Sequence, residues 1–109
     1  MVGRARAIEL LYEPRTIRAE EALQLGLASR VVESQTLMAE ARALATRLAS
    51  GPTAAYGAIR RSVAYSAGHT FEDSLAFEAE MMTLTGSTED HRNAVAAFVA
   101  KEKPTFHGR

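Results

Sequence analysis

Apolar side chains recur at helical spacing along almost the whole chain, and this periodicity constrains the fold more than any other feature. Residues three, four, seven or eight positions apart share one face of an α-helix. The sequence therefore predicts two successive helices, separated by Gly51-Pro52, a pair that suits a helix end followed by a new first turn. Their apolar stripes are Leu37, Ala41, Leu44, Ala45 and Leu48, then Tyr56, Ile59, Val63 and Ala67.

Capping and stop residues mark further helices on both sides of this pair. Thr70 can cap a helix that ends at Gly86, with Asp73 in an imperfect capping box. Thr88 can cap the next helix, and Glu89 and Asp90 suit its positive end. Shorter helices are predicted over residues 4–11 and 19–25, and Pro104 stops the last one.

The only extended segment that the pattern supports is 29–33, Ser-Arg-Val-Val-Glu. One short strand cannot form a sheet alone. The predicted fold class is therefore mainly α, with about five to six helices and at most one short strand. A length of 109 residues without a linker predicts a single helical domain over residues 1–109.

The predicted core is thin for so many helices. The chain has 21 alanines, and alanine buries little area. The helix opened by Thr70 is apolar on two faces: Phe71, Leu75 and Met82 on one, Phe77, Met81 and Leu84 on the other. Both features predict packing onto another domain or subunit. Gly57 lies inside a predicted helix at a cost of about 1 kcal/mol, which suggests that another backbone passes close to it.

Composition argues against several classes of protein. The formal net charge is zero, so the chain lacks the basic footprint of a nucleic-acid binder. A helix-turn-helix outline over 16–32 fails because the segment after Gly26 suits a strand, and Glu20 and Glu21 would face phosphates. No apolar run approaches the roughly 20 residues needed to span a bilayer. We expect a cytoplasmic protein that binds neither nucleic acid nor membrane.

Spacing alone indicates no catalytic and no metal site. There is no cysteine, and His69, His91 and His107 lack partners at metal-ligand spacing. No nucleophile elbow or Gly-rich phosphate loop is present. Glu78 and Glu80 are two residues apart on a helix and therefore point to different faces.

Four motifs, taken in order, resemble the C-terminal part of the crotonase superfamily, the enoyl-CoA hydratases and isomerases. Any one of them is weak, but the ordered set is specific and covers essentially all 109 residues. The motifs are Gly3-Arg4-Ala5-Arg6-Ala7 with Glu9-Leu10; Ile17 and Ala19-Glu20-Glu21-Ala22 with Gly26-Leu27-Ala28 and Val31-Val32; Leu44-Ala45 with Pro52 and Arg60-Arg61; and Glu89-Asp90 with Ala94, Ala97-Phe98, Lys101, Lys103-Pro104 and Phe106.

The resemblance implies a division of labour. In the family, a larger N-terminal spiral supplies the oxyanion hole and the acid–base carboxylates, and the helical C-terminal region builds trimers or hexamers and closes the coenzyme A pocket. The chain would then be part of an enzyme of fatty-acid metabolism that acts on acyl-CoA thioesters, without a tightly bound cofactor. Alone it would be inactive, because enolate stabilisation needs preorganised donors. The alternative is a stand-alone helical interaction module without catalysis.

Three residues match family positions at the coenzyme A site. Lys101 matches a lysine that approaches the phosphates, Phe98 an aromatic residue of the acyl or pantetheine tunnel, and Met82 a second apolar lining residue. Each has a plainer interpretation, since Phe98 and Met82 suit a helix core and Lys101 a helix C-terminus. Two departures bear on the region: Arg18 replaces a usual Ser or Thr cap, and Glu102 replaces a frequent base.

Overall fold

The structure, a computed structural model, describes residues 2–109, and this part of the chain contains six α-helices and no strand. This confirms the mainly α fold class. None of these helices is both long and apolar enough to cross a membrane. The helices are α1 Arg4–Tyr12, α2 Ala19–Gln24, α3 Leu37–Ala49, α4 Thr53–Ser66, α5 Phe71–Gly86 and α6 Glu89–Ala100.

The chain divides into two compact units, and the boundary between Glu40 and Ala41 falls within α3. The first unit holds α1 and α2, and the second holds α4, α5 and α6. The single domain over residues 1–109 stays a prediction.

In the first unit, α2 ends as the sequence predicts, and the short strand that the sequence allowed is absent. Gly26 has a φ of 73°, a left-handed conformation that glycine adopts at low cost. The amides of Leu27 and Ala28 then donate to the Ala22 carbonyl. Residues 29–33 form no strand. The sequence allowed at most one short strand, and none forms here, because two adjacent valines give β-propensity whereas a strand also needs a partner.

The apolar stripe of α3 exists but is mostly uncovered by the chain. Leu44 is half-buried, whereas Ala41 and Ala45 are exposed. Leu37 and Leu48 also keep about half of their surface accessible. Periodicity therefore located this helix and its apolar face, but the chain itself does not bury that face.

In the second unit, α4 packs against α5, and α5 packs against α6. The turn between α4 and α5 is held by an aromatic stack around Tyr65. The centroid of its ring lies 3.6 Å from that of the His69 ring and 4.3 Å from that of the Phe77 ring. Within residues 2–109 only Ala58 and Asp90 are buried, at 4% and 3% exposure. The core of this unit is therefore as thin as its alanine content predicts.

Both predicted threonine caps are present. The Thr70 hydroxyl accepts from the Asp73 amide at 3.1 Å, and the Thr88 hydroxyl accepts from the His91 amide at 3.1 Å. Arg18 caps α2 without a side-chain hydrogen bond, as its replacement of Ser or Thr predicts. The expected close approach at Gly57 was wrong for the described part of the chain, since a β-carbon there would meet no atom of residues 2–109 within 4 Å.

Candidate functional site

An open apolar groove of about 340 Å³ lies between α4 and α5. Ile59 and Val63 form its α4 side, and Met81 and Met82 form its α5 side. Glu78 is the one titratable side chain that lines it. A groove of this composition suits an apolar chain or an apolar side chain, and it holds no acid–base pair.

The side of α6 that its own chain covers is built from small residues. Asp90 is buried and Ala94 and Ala97 are half-buried, at i, i+4 and i+7. The plainer interpretation of the sequence had placed Phe98 in a helix core. That prediction was wrong for Phe98, which is 84% exposed, because the small residues allow close approach and the large ones point outward.

Lys101 lies where α6 ends and the chain turns back. It adopts the left-handed conformation with φ 58° and ψ 34°, the only positive φ among the non-glycine residues that the structure describes. The Glu102 amide donates to the Ala97 carbonyl at 2.8 Å, which closes the helix end. Lys101 is exposed, and the ion pairs found within residues 2–109 do not involve it.

The structure does not bring the three predicted site residues into one cavity. Met82 lines the α4–α5 groove and is 69% exposed. Phe98 and Lys101 lie together at the C-terminal end of α6, and neither lines that groove. Their roles at a coenzyme A site stay predictions.

Sequence reasoning missed the role of Asp90, which it assigned only to the helix dipole. The Asp90 carboxylate accepts from the His107 amide at 2.6 Å and from the Gly108 amide at 2.9 Å. Its own amide donates to the Arg109 carbonyl at 2.9 Å. An acid in the first turn of a helix is common, and no spacing rule relates it to a segment 17 residues further on.

Two groups of the first unit have a resolved change of acidity, Glu21 on α2 and Arg15 before it. The Arg15 guanidinium donates to both carboxylate oxygens of Glu21, with Nη1 2.8 Å from Oε2. This paired geometry lowers the pKa of Glu21 below its usual range and raises that of Arg15. Across residues 2–109, no three acidic or histidine side chains converge on a point where they could hold a metal ion.

Comparison with known proteins decides the family. A family model described as enoyl-CoA hydratase/isomerase matches residues 1–109. The chain belongs to the enoyl-CoA hydratase/isomerase family. Its ordered motifs thus lead to the correct family.

Individual members of the enoyl-CoA hydratase/isomerase family resemble the chain closely. It is 35% identical over 109 residues to the 1,2-epoxyphenylacetyl-CoA isomerase of Escherichia coli K12. It is 33% identical over 103 residues to a short-chain-enoyl-CoA hydratase of Clostridium acetobutylicum. The fold matches an enoyl-CoA hydratase subunit I of Geobacillus kaustophilus with a TM-score of 0.93 and 36% identity, over 99% of this chain and 42% of that one.

These enoyl-CoA hydratase/isomerase relatives are much longer than the chain. The alignments cover 100% and 94% of this chain but only 42% and 40% of the two curated relatives. The chain thus spans about two-fifths of their length. An all-helical segment of this extent agrees with the C-terminal part that its motifs resemble.

Proposed function

We propose that the chain is the C-terminal part of an enoyl-CoA hydratase/isomerase-type enzyme that acts on acyl-CoA thioesters. In this proposal it contributes assembly into a trimer or hexamer and closure of the coenzyme A pocket. It carries no oxyanion hole and no acid–base carboxylate of its own, so it is inactive alone. The substrate is the coenzyme A thioester, no cofactor is tightly bound, and the enzyme works in the cytoplasm.

The large amount of exposed apolar surface supports the proposed role in assembly. Nineteen large apolar side chains between residues 2 and 109 stay exposed, against one buried apolar residue, Ala58. Monomeric proteins rarely expose contiguous apolar patches of more than a few hundred Å². Surfaces on α4, α5 and α6 therefore need a partner, which the rest of the same enzyme and further copies of it would supply.

The end of α6 supports the coenzyme A role. Lys101 is exposed, and it follows the exposed ring of Phe98 by three residues at the end of the same helix. An ammonium is a suitable point-charge partner for a phosphate, and an aromatic ring suits an apolar pantetheine or acyl segment. Met82 would offer a further apolar contact from α5.

Calorimetric titration of the chain with coenzyme A tests this role. We expect binding that Lys101→Glu weakens at least tenfold, because the phosphates would then face a carboxylate. Lys103→Glu is the matched control and should change the affinity by less than a factor of three. Equal affinities for the wild type and Lys101→Glu would remove Lys101 from the site.

A turnover assay separates the fragment from a complete enzyme. The purified chain should not hydrate or isomerise a short-chain enoyl-CoA, and measurable turnover would contradict the absence of catalytic groups. If the chain binds no coenzyme A but captures a full-length relative, the stand-alone interaction module replaces the first proposal.

A further inference from the structure

The last nine residues, 101–109, return along α6 and dock at its beginning; we refer to them as the strap. One tie is the helix end, where the Lys101 amide donates to the Phe98 carbonyl at 3.2 Å. The other tie joins His107, Gly108 and Arg109 to Asp90 through three hydrogen bonds of 2.6–2.9 Å. The strap is thus fixed at both ends of one helix.

The dimensions of the strap agree with this path. A helix of 12 residues such as α6 rises about 18 Å. The steps from Lys101 to His107 cover roughly 20 Å in extended backbone. A space of about 390 Å³ lies between Asn93, Ala96 and Ala100 of the helix and residues 102–105 of the strap. The strap therefore follows the helix from end to start with almost no slack.

The far end of the strap, residues 106–108, fits closely against the starts of α4 and α6, which we refer to as its seat. Gly108 has a φ of 77°, which side chains of L-residues rarely permit. A β-carbon on Gly108 would also lie 2.6 Å from Oγ1 of Thr53, at the start of α4. Phe106, half-buried, lines a cavity with Pro52 and Ala94. The starts of α4 and α6 together form this seat.

Asp90 is the group on which the seat depends. It is 3% exposed, and its charge is met by amides of the strap rather than by a cation. A buried carboxylate needs such donors, because an unpaired buried charge is very costly. Release of the strap would leave that carboxylate without these donors.

We propose that Asp90 is a positioning residue, which by docking the strap fixes where Lys101 points. The left-handed backbone of Lys101 forms the turn into the strap. Release of the strap would therefore let the Lys101 side chain sample a wider range of directions. This inference deepens the proposed function, and the part that concerns coenzyme A rests on it. The docking of the strap stands on the hydrogen bonds alone.

Amide hydrogen exchange on the full chain tests the docking. In Asp90→Asn only one oxygen remains to accept, so the amides of His107 and Gly108 should exchange at least tenfold faster. Glu89→Gln is the matched control, because Glu89 forms only an exposed ion pair with Arg109, at 3.0 Å. It should change those rates by less than a factor of two. Unchanged protection in Asp90→Asn would overturn the proposal.

A second variant decides the matter if Asp90→Asn fails to fold. Gly108→Ala leaves the carboxylate intact but removes the fit of the strap to its seat. It should accelerate exchange at the same amides while the circular dichroism of the helices is retained. Retained protection of those amides against exchange would contradict the proposed docking of the strap.

Coenzyme A affinity tests the positioning of Lys101. Asp90→Asn should weaken binding at least fivefold, and adding it to Lys101→Glu should weaken binding no further. A merely structural loss would add to the Lys101→Glu effect, and additivity would therefore overturn the positioning role. If the wild type binds no coenzyme A, the proposed pocket role fails, and the exchange rates alone decide the strap.

Discussion

The two sides of α6 differ in what covers them. The closed side carries Asp90, Ala94 and Ala97, and the strap and neighbouring helices lie near it. The open side carries Phe98 and Val99, which are 84% and 76% exposed. The chain thus uses small and charged residues for its own fold and leaves large apolar residues outside, which is typical of a surface that meets a partner.

The same contrast is found on α5. The Phe77 ring stacks on Tyr65 of α4, and Met81 is half-buried. Phe71 and Met82 on the other face stay exposed. The helix that is apolar on two faces therefore has one face covered in part by its own chain, where Leu84 stays 49% exposed, and one face left open.

The largest expected difference between the two sides of α6 lies in stability. Asp90→Ala should lower the free energy of unfolding by about 3 kcal/mol, because two part-buried hydrogen bonds from backbone amides to a charged acceptor are lost. Phe98→Ala should lower it by less than about 0.5 kcal/mol, since an exposed ring buries little in the chain. Urea denaturation of dilute chain measures both values. Similar losses for the two variants would remove the distinction between the sides.

Alanine substitutions at two glycines should change stability by smaller amounts and in opposite directions. Gly108→Ala should cost about 1–2 kcal/mol, because its left-handed φ and the nearby Thr53 hydroxyl both resist a β-carbon. Gly57→Ala should gain about 0.5–1 kcal/mol, because that site in α4 is open and helical. Thermal denaturation compares the two variants. A loss at Gly57→Ala would mean that α4 is closely approached there.

The smallest expected effect on stability comes from the exposed ion pair of Arg15 and Glu21, which contrasts with the hydrogen bonds to the buried carboxylate of Asp90. Because the pKa of Glu21 is lowered in the fold, its stabilisation is fully present above the unfolded pKa and fades as the pH falls through the folded one. Acid titration should show a slightly steeper loss of stability in the wild type than in Arg15→Gln. Identical profiles would mean that solvent screening removes the contribution of the ion pair to stability.

The sequence was sufficient for the helices but not for their environment. Periodicity and the Thr70 and Thr88 caps locate α3 to α6, because a helix is specified by local residues. Which face the chain covers depends on distant residues, so the core position considered for Phe98 was wrong. Lys101, Phe98 and Met82 came from motif resemblance and stay predictions. The docking of the strap at Asp90 depends on a segment 17 residues away, which no local pattern reports.

Sedimentation velocity over a range of concentrations tests the central claim that the open side is an interface between copies of the chain. The wild type should sediment as a trimer or hexamer, whereas Phe98→Glu should sediment as a smaller species with unchanged helical content. Lys103→Glu is the control, since it adds more negative charge without touching the apolar surface, and it should assemble as the wild type does. A wild-type chain that stays monomeric at every concentration, or a Phe98→Glu chain that assembles fully, would contradict the account.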